Sequence, residues 1–289
     1  MDGVVAPASV DTRPAVRGTL FYKMTGSGND FVVLDGRSTT PDQWPAAQVR
    51  AVCDRRTGVG ADGLVILTPV TGGVRMSYWN SDGSHGAMCG NAALCSGKLS
   101  VHLELVPAGE FLLFTDAGAV KVRSSADDDT AEISLPDFEV PREVSALKPG
   151  SGERWLDLGT IGVPHLIVRV ENVEQVDVVA RGRILRNDSN TGPVGANVNF
   201  VSHEGSPQQP WLIRTFERGI EGETLACGTG TVAAAAALAA RGEAGFPVRF
   251  RSRGGPELVV RGKLEGSRGT EVWLGGQGRL VFRGVWEGR

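Results

Sequence analysis

Cysteine, histidine and aromatic residues are all scarce in this chain: four cysteines, four histidines and 6 % aromatics among 289 residues. The cysteines, Cys53, Cys89, Cys95 and Cys227, form no Cys-x-x-Cys pair. That excludes a disulfide scaffold and a cysteine-built metal site, and predicts a reducing, cytoplasmic setting. Charge of one sign is lacking too. Lys+Arg 30 against Asp+Glu 33 leaves a net charge of -3, so no basic field exists to draw in nucleic acid or an anionic membrane. No apolar run approaches the ~20 residues of a membrane helix. The opening MDGVVAPASVDTRPAVRG does not have the charged-then-apolar order of a signal peptide, and predicts a flexible arm over 1–18.

Glycine, by contrast, is abundant: 40 residues, about twice the usual share of ~7 %. Many tight turns and close backbone approaches follow. Short apolar runs of strand length recur at 30–35, 63–67, 73–79, 111–114, 119–122 and 131–135. The second half repeats the logic at 166–170, 198–201, 211–216, 248–251, 258–260, 272–274 and 280–282. Helical spacing is read at 44–55, 90–105, 173–181 and 228–241, with Asp127 to Asp129 a solvated hairpin tip and a domain crossing near 136–152. Many strands and few helices per half predict an α+β fold, each half wrapping a sheet around one buried helix. That helix is plainest at Val232 to Ala240, which has no polar face and stops at the cap candidate Gly242.

The chemistry signal is a duplication. Met88-Cys89-Gly90-Asn91-Ala92-Ala93-Leu94 in the first half matches Ala226-Cys227-Gly228-Thr229-Gly230-Thr231-Val232 in the second. Each sets a cysteine at the start of a small-residue helix, after a turn-rich loop. Orphan N–H groups and the positive dipole end favour a thiolate there, so a lowered thiol pKa is expected, and the same N–H groups can hold a carboxylate. Two such cysteines facing one carbon from opposite sides would supply a base and an acid, the arrangement that inverts a stereocentre. Cys53 and Cys95 lack that context and read as ordinary buried residues. Two stretches, Gly58 to Gly63 and Gly228 to Ala233, match dinucleotide-binding glycine patterns by letter. Neither has the strand before and helix after, with a ribose-binding acid, that the pattern needs.

Several longer motifs extend the picture: Gly26-Ser27-Gly28-Asn29-Asp30-Phe31, Asp54 through Gly63, Asn80 through Cys95, Gly162-Val163-Pro164-His165, Asn197-Val198-Asn199-Phe200, and Glu217-Arg218-Gly219 through Thr231. With them the chain, over about 20–285, resembles the diaminopimelate epimerase family, cofactor-independent enzymes that interconvert LL- and meso-diaminopimelate for lysine and peptidoglycan precursors. The resemblance implies two pseudo-symmetric domains, each a curved, mostly antiparallel, barrel-like sheet around a central helix, at 19–134 with a returning 276–289 and at 135–275. It also implies a homodimer, a small amino-acid substrate, and neither cofactor nor metal. By resemblance Cys89 and Cys227 are the acid/base pair, and Gly90, Asn91, Gly228 and Thr229 hold the reacting carboxylate. Asn29, Asn80, Asn197, Glu217 and Arg218 recognise the remaining amino and carboxylate groups, and His165 assists proton transfer. Arg218 suits a carboxylate and Glu217 an ammonium; turn formation competes as a role for Asn29 and Asn80. Val163 stands where the family has an asparagine for the distal end of the substrate, and Leu94 where an arginine is common. A racemase of another amino acid, or a non-catalytic amino-acid-binding protein, remains the alternative.

Overall fold

The structure is a computed structural model that describes residues 16–206 and 208–288. The arm expected over 1–18 lies outside the described residues up to position 15. Its last part is placed: Val16 is buried beside Phe21 and Trp286, and Gly18 N–H donates to the Trp286 carbonyl. Among the described residues are nineteen strands and four α-helices: α1 (Ala46–Cys53), α2 (Gly90–His102), α3 (Val178–Arg186) and α4 (Gly228–Ala240).

The chain traces one path twice. In the first half the strand Asn29–Asp35 leads through α1 to Gly63–Val70, which lies parallel to it. The antiparallel Gly73–Asn80 follows, and α2 then carries the chain to Gly109–Thr115, parallel to Gly73–Asn80. The second half repeats this as Val163–Val170, α3, Asn197–Ser202, Trp211–Glu217, α4 and Val248–Ser252, with the same two parallel and one antiparallel pairings. The other pairings are antiparallel. The two sheets join along Arg268–Gln277, which bonds Glu257–Glu265 on one edge and Thr130–Ser134 on the other. The chain then returns as Arg279–Trp286 to pair with Thr19–Gly26.

Burial follows this duplication. One central core takes in Ala92 to Leu99 of α2 and Val232 to Leu238 of α4, together with the inward faces of both sheets. Smaller clusters lie under α1, with Trp44, Val49 and Val52, and under α3, with Val178, Leu185 and Phe216. Alanine gives α4 both high helix propensity and a slim profile, so the sheet closes on it from all sides. The helix ends as expected: Gly242 takes φ +70, and Glu243 N–H returns to the Leu238 carbonyl at 2.9 Å.

Two local expectations are corrected. The helix read at 173–181 begins at Val178, because Asn172 caps a separate 3-10 turn at Val173–Gln175 and the Asp177 carboxylate accepts from Ala180 N–H to start α3. A strand at Glu153–Ile161 was not expected. Its charged residues hid it: Asp157 is buried, and accepts from Arg241 at 2.8 and 2.6 Å just past the end of α4.

Candidate active site

Cys89 and Cys227 are each the N-cap residue of a central helix, with extended backbone (φ -139, ψ 123 and φ -128, ψ 108). Both are half-buried. The helices α2 and α4 touch, and each thiol feels the other parts of one shared site: the Glu217 carboxylate acts on both sulfurs, and Cys89 acts on Cys227.

The expected lowering of the thiol pKa is not found. Burial pushes Cys89 up and Cys227 up to about 12, and the negative Glu217 adds to both. The helix amides pull the other way, Asn91 and Ala92 on Cys89 and Gly230 on Cys227, but less strongly. Helix-end stabilisation holds for a solvated thiolate; desolvating the charge in a closed core costs more. Cys53, pushed up to about 12, and Cys95 are buried in the core, unlike the half-buried pair, as read from sequence.

Around Cys89, Asn91 Nδ2 donates to Asn29 Oδ1 at 2.6 Å, and Asn29 Nδ2 donates to Asp62 at 2.8 Å. Both ends of the Asn29 amide are thereby committed, whereas Asn91 Oδ1 is buried with no partner among the described residues. The Asp62 carboxylate is held in turn by Arg55, which bridges to Asp30. Asn80 ends its strand in an exposed turn, donating to Ser84 Oγ at 2.9 Å and accepting from the Tyr78 hydroxyl at 2.8 Å. Tyr78 was missed in the sequence. Its ring is held where a Cβ on Gly63 or Gly86 would collide, and its hydroxyl neighbours Cys89.

Around Cys227, the Thr229 hydroxyl lies 3.8 Å from the sulfur and 3.0 Å from His165 Nε2. His165 is fully buried, third in the strand Val163–Val170. Burial brings its imidazole down from 6.5 to about 4, helped by the Arg218 charge and partly opposed by the Ile161 backbone, so the ring is neutral. Asn197 Oδ1 accepts from the Arg218 backbone N–H at 2.8 Å, which orients the turn that carries Glu217 and Arg218. The Arg218 guanidinium makes no ion pair with any described residue. Burial raises the Glu217 carboxyl. Gly90 and Gly228 directly follow the cysteines; a Cβ at Gly90 would touch little, whereas one at Gly228 would meet Leu274 at 2.8 Å. Gly162, next to Val163, lies against Thr229.

The halves meet beside this site. Gly28, at φ +101, is so close to Leu225 and Gly254 that a Cβ there would lie 2.8 Å and 3.2 Å from them. The hollow lined by Lys98, His102 and Asp127 to Asp129 lies at the far end of α2 and contains none of these residues. Among the described residues no helix is long and apolar enough to cross a membrane, and no group of three or more His, Cys, Asp or Glu is set to hold a metal ion.

Two structurally repeated halves, each with a cysteine and a following glycine at the tip of its central helix, define the fold. Solved structures similar to this chain share it: a phenazine biosynthesis protein of the PhzF family from Bacillus anthracis (TM-score 0.70, 12 % identity, 93 % of this chain and 99 % of that one). Another is a hydroxyproline epimerase from Agrobacterium vitis (TM-score 0.63, 19 % identity, 93 % and 92 %). At such identities the likeness is one of fold alone. Sequence relatives go further. The diaminopimelate epimerase family model matches residues 21–135 and 158–275. Proteins named diaminopimelate epimerase from Gemmatimonas aurantiaca (42 % identical, 91 % of this chain and 98 % of that protein) and Chlorobaculum tepidum (37 %, 91 % and 99 %) match over nearly their whole length. The chain belongs to the diaminopimelate epimerase family.

Proposed function

We propose that this protein is a diaminopimelate epimerase, an isomerase of lysine biosynthesis that moves the α-proton between Cys89 and Cys227. The observation that carries the reading is the pair of cysteines at the N-cap positions of two structurally repeated helices within one electrostatic site. One sulfur, as thiolate, takes the α-hydrogen from one face; the other, as thiol, returns a proton to the opposite face. The negative charge that builds on the α-carboxylate is met by the N–H groups of Gly90, Asn91, Gly228 and Thr229 at the two helix ends. Arg218, which makes no ion pair with any described residue, takes a carboxylate of the substrate, and Glu217 accepts from an ammonium. Asn29, Asn80 and Asn197 complete recognition, Asn29 through Asn91, whose buried Oδ1 is an acceptor left open. His165 acts on Cys227 through Thr229.

The raised thiols fit this scheme, because a thiol of high pKa is also a strong base once its proton is gone. An entering ammonium beside Glu217 offsets the charge that raises both. We further propose that the enzyme works in the cytoplasm on a free amino acid, without nucleic acid or membrane, and as a homodimer. The exposed Val281, Phe282 and Val285 on Arg279–Trp286, a strand bonded on one edge only among the described residues, support the last point.

The test is substrate-dependent exchange of the α-hydrogen in heavy water, run on LL-diaminopimelate and on a panel of other amino acids. Exchange with diaminopimelate is expected. Exchange with another amino acid alone would replace the substrate, and no exchange with any would leave a binding protein. Sedimentation of the purified chain checks the dimer.

A further inference from the structure

Behind His165 lies a side chain that neither the motif reading nor the scheme above uses. We propose that Asn199 is a positioning residue: its amide donates to His165 Nδ1, fixes the imidazole as the Nε2–H tautomer, and thereby turns the Thr229 hydroxyl proton toward the Cys227 sulfur. This deepens the proposed function and rests on it only in treating the Cys227 thiolate as a working form.

The orientation of the Asn199 amide is set by its surroundings. Its Nδ2 lies 3.3 Å from the Leu166 carbonyl, which can only accept, so the NH₂ must face that way. On the other end the Thr215 hydroxyl donates to Oδ1 at 3.0 Å. The same NH₂ lies 3.3 Å from His165 Nδ1. A proton on Nδ1 would oppose donor to donor, so Nδ1 offers its lone pair and the ring proton sits on Nε2. Nε2 then donates to Thr229 Oγ1 at 3.0 Å, which leaves the hydroxyl proton for the sulfur, 3.8 Å away.

All of this is sealed. Asn199, His165 and Thr215 are buried, and Gly230 in the first turn of α4 is so close that a Cβ would lie 2.2 Å from Asn199 Oδ1. Without Asn199 the ring can take the Nδ1–H form. Nε2 would then accept the Thr229 proton, and Cys227 would face hydroxyl lone pairs instead of a donor. The titratable and charged groups facing this chain of bonds are Cys227 from α4, Cys89 from α2, and Glu217 and Arg218 at the end of Trp211–Glu217, and the Ile161 backbone also faces the ring.

Nitrogen-15 NMR of the whole protein labelled at histidine, with His165 assigned from His165→Gln, reads the tautomer directly. The wild type is expected as neutral Nε2–H at pH 7; an Nδ1–H signal overturns the proposal with no variant needed. In Asn199→Leu the rate of Cys227 alkylation by iodoacetamide at pH 8 should fall about tenfold relative to Cys89 in the same molecule, the loss of one bond to a charged sulfur. Its kcat should drop with KM unchanged. Asn199→Asp, whose carboxylate accepts from Nδ1–H, should convert the ring to Nδ1–H with the same loss. A folded Asn199→Leu protein with an undiminished Cys227 to Cys89 ratio also overturns it. The tautomer and alkylation readings use no diaminopimelate, so they stand or fall apart from the substrate assignment.

Discussion

The two cysteine helices share a backbone plan and differ in what surrounds it. Cys89 faces Tyr78 and the Asp62 carboxylate, and α2 behind it carries buried Ser96 and Ser100, whose hydroxyls have no partner among the described residues. Cys227 faces Thr229, with the neutral His165 behind that hydroxyl, and α4 from Ala233 to Ala240 is alanine apart from Leu238. Duplication supplied the frame: a strand, a helix end, a thiol and a glycine, twice. The divergence since then has put carboxylate and amide chemistry on one side and imidazole chemistry on the other, so the two sulfurs are equivalent in position and unequal in environment. An enzyme that must work from either face of a carbon needs the first property and tolerates the second.

The most direct way to break the comparison is to remove one sulfur at a time. Cys89→Ser and Cys227→Ser should each lower epimerisation by about 10²–10⁴-fold, since a serine hydroxyl is far too weak an acid to serve as either partner. Near-normal turnover in either variant would refute the paired-thiol mechanism. Glu217→Gln comes next and reveals whether the sulfurs share one field. Turnover should fall, because the ammonium loses its acceptor, while iodoacetamide should label both cysteines faster at pH 8, because the charge that raises both is gone. Faster labelling of only one would mean that Glu217 serves one helix end alone.

The imidazole side has a pH signature that the Cys89 side does not share. His165 titrates at about 4 when folded against 6.5 ordinarily, so between these values the unfolded chain binds the extra proton. Its stabilising effect is therefore complete above about pH 6.5 and fades as pH falls toward 4, by roughly 3 kcal/mol in all. Urea melts of wild type and His165→Gln across this window check it: the variant should lose this part of the acid sensitivity. The smallest effects concern the helices themselves. Ala235→Val in α4 should destabilise by about 1–3 kcal/mol through overpacking. Ser100→Ala in α2 should instead stabilise by about 1 kcal/mol, since it removes an unpartnered buried hydroxyl. Equal responses in the two helices would erase the difference between them.

Much of the site was legible before any coordinates because the repeat writes it twice in local form. A cysteine followed by glycine and a run of small residues is a helix start wherever it occurs, and both copies cap helices as read. The strands with alternating or wholly apolar patterns were equally readable. What escaped was non-local. Glu153–Ile161 buries Asp157 among its apolar residues, and the arginine that neutralises it, Arg241, lies far along the chain. Asn199 could have been found from its spacing, two residues after Asn197 and hence on the same face of the strand, but its partner His165 lies on a neighbouring strand. Tyr78 gave no sign, since its ring depends on Gly63 and Gly86 lying on either side of it.

Local pattern alone thus determined where the two cysteine helices start, which cysteines stand at their tips, and that the chain runs its course twice. Those are consequences of residue type and short-range spacing. Tertiary structure alone decided how acidic the thiols are, reversing the expectation from helix ends, because desolvation depends on everything that closes over a sulfur. It also decided which hydroxyl and which amide stand behind each thiol, because those contacts span dozens of residues of sequence and exist only once the sheets have wrapped.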